Sequence, residues 1–307
     1  ELLDIYHQFL GVDFEEVPAV GLWDTTVKAV RVSKDGELLG TLLLDLYPRS
    51  NKYNHAAHLT VVPAVYKDGK SIPAVSIVIA NFPKPTETKP SLLTRNDVNT
   101  FFHEFGHALH ALLGRTLLAS FAGTNTKTDF VELPSQMLEE WLWDKDILKK
   151  ISGHYKTGEP LPDELIDKIL KLKKLTSGSF VRQQGYLSLL ALDYYKEGEQ
   201  KDPYQLMKQL HEQLVAEILF NPKNHFYTSF GHLTEYGAKY YGYLWSKVFA
   251  LDLFDEIKKH GLLNPEIGQK YIIEVIGRGG SQDPNELLRT FLGREPNNKA
   301  FLKDIGL

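Results

Sequence analysis

The 307-residue sequence predicts a mainly α protein with a small antiparallel β-sheet near its amino-terminal side. Three observations predict it. Positions 26–82 hold short apolar runs divided by Lys-Asp-Gly turns. From Thr94 onward nearly every stretch carries helical apolar spacing. No internal repeat or low-complexity tract breaks that order.

The first segment has helical spacing at Leu2, Ile5, Phe9 and Leu10. Opening inside such a run, the sequence is expected to be part of a larger protein. Val27, Ala29 and Arg31, followed by ELLGTLLL from Glu37, flank Lys34-Asp35-Gly36, a hairpin signal. A second pair, HLTVVPAVY and SIPAVSIVIANF, flanks Lys67-Asp68-Gly69-Lys70. A Pro/Thr-rich loop at 82–90 closes the region. Thr94-Arg-Asn-Asp97 has capping-box spacing with Thr94 as N-cap, and Gly114 marks the helix end. Further helices are expected at 130–150, 162–198, 203–220, 235–259 and 265–277. Gly279-Gly280 and Asp283-Pro284 separate the last of these from a short helix at 285–292. The run GRGGS at 277–281 lacks the Lys-Ser/Thr of a phosphate loop and follows a helix, so it reads as a stop and turn.

Apolar residues make up 43% and charged residues 24%, as in an ordinary globular protein. The net charge of −4 leaves no electrostatic footprint for nucleic acid and no polybasic membrane patch, so neither partner is expected. No apolar run approaches membrane-spanning length, and the best candidate, at 72–82, is interrupted by Pro73 and Ser76. There is no amino-terminal signal pattern. Cysteine is absent, so disulfides and thiolate ligands are excluded and a metal must be held by His, Asp and Glu. A cytoplasmic location is the expectation from these features.

The segment TFFHEFGHALH at 100–110 concentrates the chemistry. His103 and His107 lie one turn apart and project from one helix face, so both imidazoles can reach one metal ion. Zinc would lower the pKa of a water in that site to roughly 7, and Glu104 is placed to accept its proton. Gly106 costs about 1 kcal/mol in a helix interior against alanine, which a closely approaching neighbour would explain. The extended metzincin pattern requires glycine at 110 and histidine at 113; here those are His110 and Leu113, which excludes that class. A third ligand is expected from TDFVELPSQMLEEW at 128–141. Pro134 belongs near a helix start, with Glu132 at or just before the first turn. Spacing does not separate Glu132 from Glu139. Tyr236, Tyr240 and Tyr243, spaced +4 and +3, line one face of a helix; such an aromatic stripe reads first as core, while phenol hydroxyls there would also suit a developing oxyanion.

TFFHEFGHALH followed by FAGTNTKTDFVELPSQMLEEW resembles the thimet oligopeptidase, oligopeptidase A and neurolysin family of zinc metallopeptidases. The likeness extends through LLLDLYPRSNKYNHAAH, SIVIANFPKP, GHLTEYGAKYYGYLWSKVFALDLF and GRGGSQDPNELLRTFLGREP, and so covers essentially the whole chain. It implies a gluzincin-type catalytic region with one Zn²⁺ per chain, held by His103, His107 and Glu132, with Glu104 as general base. It also implies that His232 and Tyr243 are catalytic and that short peptides are the substrates. Tyr236, Tyr240, Gly123 and Ala80 would bind them, with 75–80 as the edge strand along which an extended peptide aligns. The link His232-Leu-Thr-Glu-Tyr236 is one glycine shorter than in many members and matches the mitochondrial-type ones. Residues 1–307 would be the catalytic part of a two-lobed peptidase, with 26–82 the sheet and 94–307 the helical body. The absent amino-terminal lobe is then an expected partner, and the segment at 1–10 one exposed seam for it. The alternative is a zinc-loaded but weakly active peptide-binding half that needs that lobe.

Overall fold

A computed structural model describes residues 2–198 and 201–307. Helix α1 (Leu2–Leu10) turns Ile5, Tyr6, Phe9 and Leu10 inward, and all four are buried. The stripe expected to form a seam for a second lobe is thus covered by this chain: Tyr6 stacks on Phe105 at 5.1 Å, and Phe9 meets Trp141 at 5.0 Å.

Among the described residues seven strands follow: β1 (Asp13–Val17), β2 (Lys28–Lys34), β3 (Glu37–Asp45), β4 (Ala57–Val62), β5 (Val65–Lys67), β6 (Lys70–Ile72) and β7 (Ala74–Ile79). Five of them form a sheet in the order β1-β2-β3-β7-β4, while β5 and β6 make a separate hairpin. Both Asp-Gly turns are present, with positive φ at Asp35 and Gly36 and at Asp68 and Gly69. The sheet is mixed rather than antiparallel, because β3 and β7 run parallel from Gly40↔Ala74 to Asp45↔Ile79. The reason lies in β7 itself. Its nearly unbroken apolar run, Ala74–Ile79, suits an interior strand covered on both faces, so it inserts between β3 and β4. The outer position falls to β4, whose last four residues are exposed.

Asp45 ends β3 in a buried polar knot. Its carboxylate accepts two bonds from Arg49 (2.7 and 2.8 Å) and one from Trp23 Nε1 (3.0 Å), and pairs with Lys52 Nζ at 2.8 Å. Lys52 Nζ also donates to the carbonyls of Asp45, Tyr47 and Ala80 at 2.8, 2.8 and 2.6 Å. Burial raises the Asp45 pKa, but Arg49, Lys52 and Trp23 outweigh it and hold it at about 2. Removing one partner of a buried ion pair costs about 3 kcal/mol, so Lys52→Met is expected to lower the urea midpoint accordingly. Because the folded pKa of about 2 lies below the ordinary 3.8, the Asp45 contribution is complete above 3.8 and lost as pH falls through 2. A Lys52→Met protein with a wild-type midpoint would show that the knot adds nothing to stability.

Helix α2 (Arg95–Leu113) starts at the expected capping box: Asp97 N–H donates to Thr94 Oγ1 (3.2 Å) and Thr94 N–H to Asp97 Oδ2 (2.8 Å). It lies between the sheet and α3 (Leu133–Glu139). The helix expected over 130–150 is broken, since Asp144 turns extended and caps α4 (Lys145–Ile151) through the amides of Asp146 and Ile147. Helices α5 (Asp163–Tyr195) and α6 (Pro203–Leu214) pack on each other, α6 ending earlier than expected at Val215. The helix expected over 235–259 is also divided. Gly237 takes φ +56, so α7 (His232–Glu235) passes through a short 3-10 turn before α8 (Gly242–His260) begins. Helices α9 (Pro265–Glu274), α10 (Pro284–Leu292) and α11 (Lys299–Asp304) complete the body, and Gly279 with φ +48 makes the expected stop after α9. Strand β1 and helix α11 were not legible in the sequence. Among the described residues, no helix is long and apolar enough to cross a membrane.

Candidate metal centre and catalytic cleft

Helix α2 carries His103, Glu104 and His107, and α3 is drawn directly onto it at Gly106. A Cβ on Gly106 would lie 2.6 Å from Ser135 Cα, so the close neighbour expected from that glycine is α3 itself. The contact brings Glu132, the N-cap residue of α3, beside the two histidines. Glu132 Oε2 lies 3.1 Å from His103 Nε2 and 3.2 Å from His107 Nε2, and the two Nε2 atoms are 3.2 Å apart. Ligands in tetrahedral positions with bonds of about 2.0–2.1 Å are separated by about 3.3 Å, so this N₂O set fits a zinc ion. Burial opposes the Glu132 charge, but His107 and His103 outweigh it and hold its pKa well below the usual range.

Glu139 does not join the cluster. Its Oε1 lies 2.7 Å from His103 Nδ1, so it accepts that N–H and leaves the Nε2 lone pair facing Glu132 and His107. Residues 132 and 139 are two helical turns apart and share a stripe, which is why periodicity left both open.

Glu104 is buried, and burial raises its pKa against the opposing pull of His103 and His107. The backbone N–H of His58 on the outer strand β4 also favours its charged form. Sequence reasoning missed His58, which bonds Ser76 Oγ through Nε2 at 2.6 Å and lies 6.0 Å ring to ring from His107. Its only signal was a histidine in the run HAAH, with nothing to mark its facing. His110 is fully buried, and burial together with His107 pushes its pKa down to about 3; it is a neutral core histidine.

The aromatic side of the cleft comes from α7 and the start of α8. Tyr236 Oη donates to Glu132 Oε1 at 2.5 Å, and Tyr243 Oη lies 3.1 Å from His232 Nε2. The two tyrosine rings are 5.2 Å apart. Gln136 Nε2 donates to the Tyr243 carbonyl at 3.0 Å, tying α8 to α3. Burial and then Glu132 raise the pKa of both phenols, so both remain protonated donors at neutral pH.

Three expected substrate contacts are not brought here. Ala80 follows an interior strand, is 1% exposed, and has its N–H on the Asp45 carbonyl and its carbonyl on Lys52. The outer strand is β4, so 75–80 offers no edge. Gly123 packs behind the site: its N–H donates to the Gly114 carbonyl, and a Cβ there would lie 2.6 Å from Ala111 Cα. Tyr240 is 7% exposed and backs His232 from a separate apolar cluster that it forms with Phe230, Tyr186 and Leu190, because the 3-10 turn rotates it away from Tyr236.

The fold and the three-residue centre define the class. A solved structure of PZ peptidase A with an inhibitor has this fold, with a TM-score of 0.58 over 86% of this chain and 42% of that one at 15% identity. The chain belongs to Peptidase family M3, whose profile matches residues 1–307. It is 39% identical to the thimet-like oligopeptidase of Dictyostelium discoideum, over 100% of this chain and 47% of the relative. It is 37% identical to saccharolysin of Saccharomyces cerevisiae, over 100% of this chain and 45% of the relative. The chain therefore spans about half the length of the curated relatives it matches.

Proposed function

We propose that this chain is the catalytic region of a zinc metallopeptidase that hydrolyses peptide bonds in short peptides. The observation that carries the reading is the tetrahedral spacing of His103, His107 and Glu132, with the Glu104 carboxylate beside it. When bound, zinc supplies a positive charge that polarises the scissile carbonyl and acidifies water. Glu104 takes the proton at its carboxylate and later delivers it to the leaving amine. Tyr243 offers an O–H donor where oxyanion charge develops, with His232 holding it in place, while Tyr236 spends its own O–H on Glu132. The outer edge of β4 is the backbone face along which we place an extended substrate, with the His58 N–H fixing Glu104 beside it.

The alternative, a weakly active half that needs an amino-terminal lobe, is favoured by one feature. Leu165, Leu172, Leu175 and Phe180 on α5 are exposed, a length of apolar surface that a second lobe would cover. Turnover of a short quenched-fluorescent peptide, with and without that lobe added in trans, separates the two.

Dialysed protein is expected to hold one zinc per chain and to lose turnover on chelation. Glu132→Ala is expected to lose most of the bound metal, measured by atomic absorption. A Glu132→Ala protein with full stoichiometry would remove Glu132 from the ligand set.

A further inference from the structure

Two consecutive carboxylates stand at the end of α3, Glu140 buried and Glu139 half-buried. Glu139 offers one oxygen to His103, and Glu140 is 1% exposed and does not approach the metal ligands. Adjacent buried anions repel each other and are expensive to desolvate unless a cation lies between them. That cation is Lys247, from the first turns of α8. Its Nζ lies 2.6 Å from Glu140 Oε1 and 3.8 Å from Glu139 Oε2. On the far side, Lys173 of α5 bonds Glu140 Oε2 at 2.6 Å and Asp304 of α11 at 2.5 Å.

We infer that Lys247 is a positioning residue for the metal centre, holding the Glu139 carboxylate in the orientation that directs His103. The inference rests on the proposed zinc reading. One Glu139 oxygen accepts the His103 ring N–H, and the other faces the Lys247 ammonium at 3.8 Å, a charge contact rather than a hydrogen bond. Without the ammonium, its side chain is free to rotate toward water, and the His103 ring loses the partner that fixes its plane and tautomer. Lys247 stands four residues after Tyr243, so a single helix presents the phenol to the cleft and the ammonium to the back of the metal ligand. A shift of α8 would move both together.

The test is zinc affinity, read by competition with a chromogenic chelator, together with the melting temperature of the metal-free protein. Lys247→Met is expected to weaken zinc binding about 10–100-fold, as loss of an outer partner of a metal ligand does. Lys247→Arg, which keeps the charge, is expected to recover most of that loss. Lys173→Met removes the contacts to Glu140 and Asp304 but does not touch Glu139. It is expected to lower the melting temperature and leave zinc affinity as in the wild type. If Lys247→Met does not fold, Lys247→Gln carries the same comparison. Wild-type affinity in the Lys247 variant overturns the inference, as does an equal weakening by Lys173→Met. Wild-type protein that takes up no zinc overturns the functional reading and the inference with it; a metal-loaded wild type with an equally loaded Lys247→Met overturns only the inference.

Discussion

Glu104→Gln is expected to keep its metal and lose turnover by at least about 10²–10⁴-fold, the range for removal of a general base. The substitution preserves size and leaves His103, His107 and Glu132 untouched. What the amide cannot do is take a proton. The loss should therefore appear in kcat at saturating peptide, with KM little changed and zinc stoichiometry intact. Near wild-type kcat would remove Glu104 from the chemistry and leave the cluster a structural metal site.

Tyr243→Phe is expected to lower kcat about 10²–10³-fold, the effect of deleting one oxyanion donor, which corresponds to about 2.7–4 kcal/mol. The ring stays, with its neighbours Tyr236, Tyr240 and His232 at 5.2, 4.9 and 5.4 Å between centroids. Thermal stability should accordingly hold. His232 Nε2 loses its phenol partner but is only partly buried, so water can replace it. A variant that melts early yet turns over normally would make Tyr243 a packing residue like Tyr240.

How far the sequence revealed this arrangement depended on whether a signal was local. The capping box at Thr94, the two Asp-Gly hairpins and Pro134 near the start of α3 each fix the backbone within a few residues, and each appeared where expected. His103 and His107 were legible because helical periodicity alone sets their relation. The misplaced substrate strand has a non-local cause. Which of β4 and β7 lies outermost depends on a pairing between segments more than 30 residues apart, Gly40 with Ala74, and no local pattern records it. Tyr240 lies behind His232, still against Tyr243, because one left-handed residue, Gly237, breaks the helix whose period had placed it in line with Tyr236. Lys247 and His58 act through partners on other elements, so their single letters carried no sign of their roles.

The 2.6 Å approach at Gly106 alters how much information the metal motif contains. Written as His-Glu-x-x-His, the pattern treats positions 105 and 106 as free. Here neither is. Phe105 is fully buried against Tyr6, and any side chain at 106 would push away the helix that carries Glu132. Alanine, the better helix former by about 1 kcal/mol, is barred there by its methyl group. On the proposed reading, the five-letter pattern is therefore specified at every letter: three by coordination and proton transfer, two by the space between helices. A library that randomised only the "free" positions would find its folded, metal-competent members clustered around Phe-Gly, and a search pattern with both letters filled would discard most chance matches before any ligand was considered.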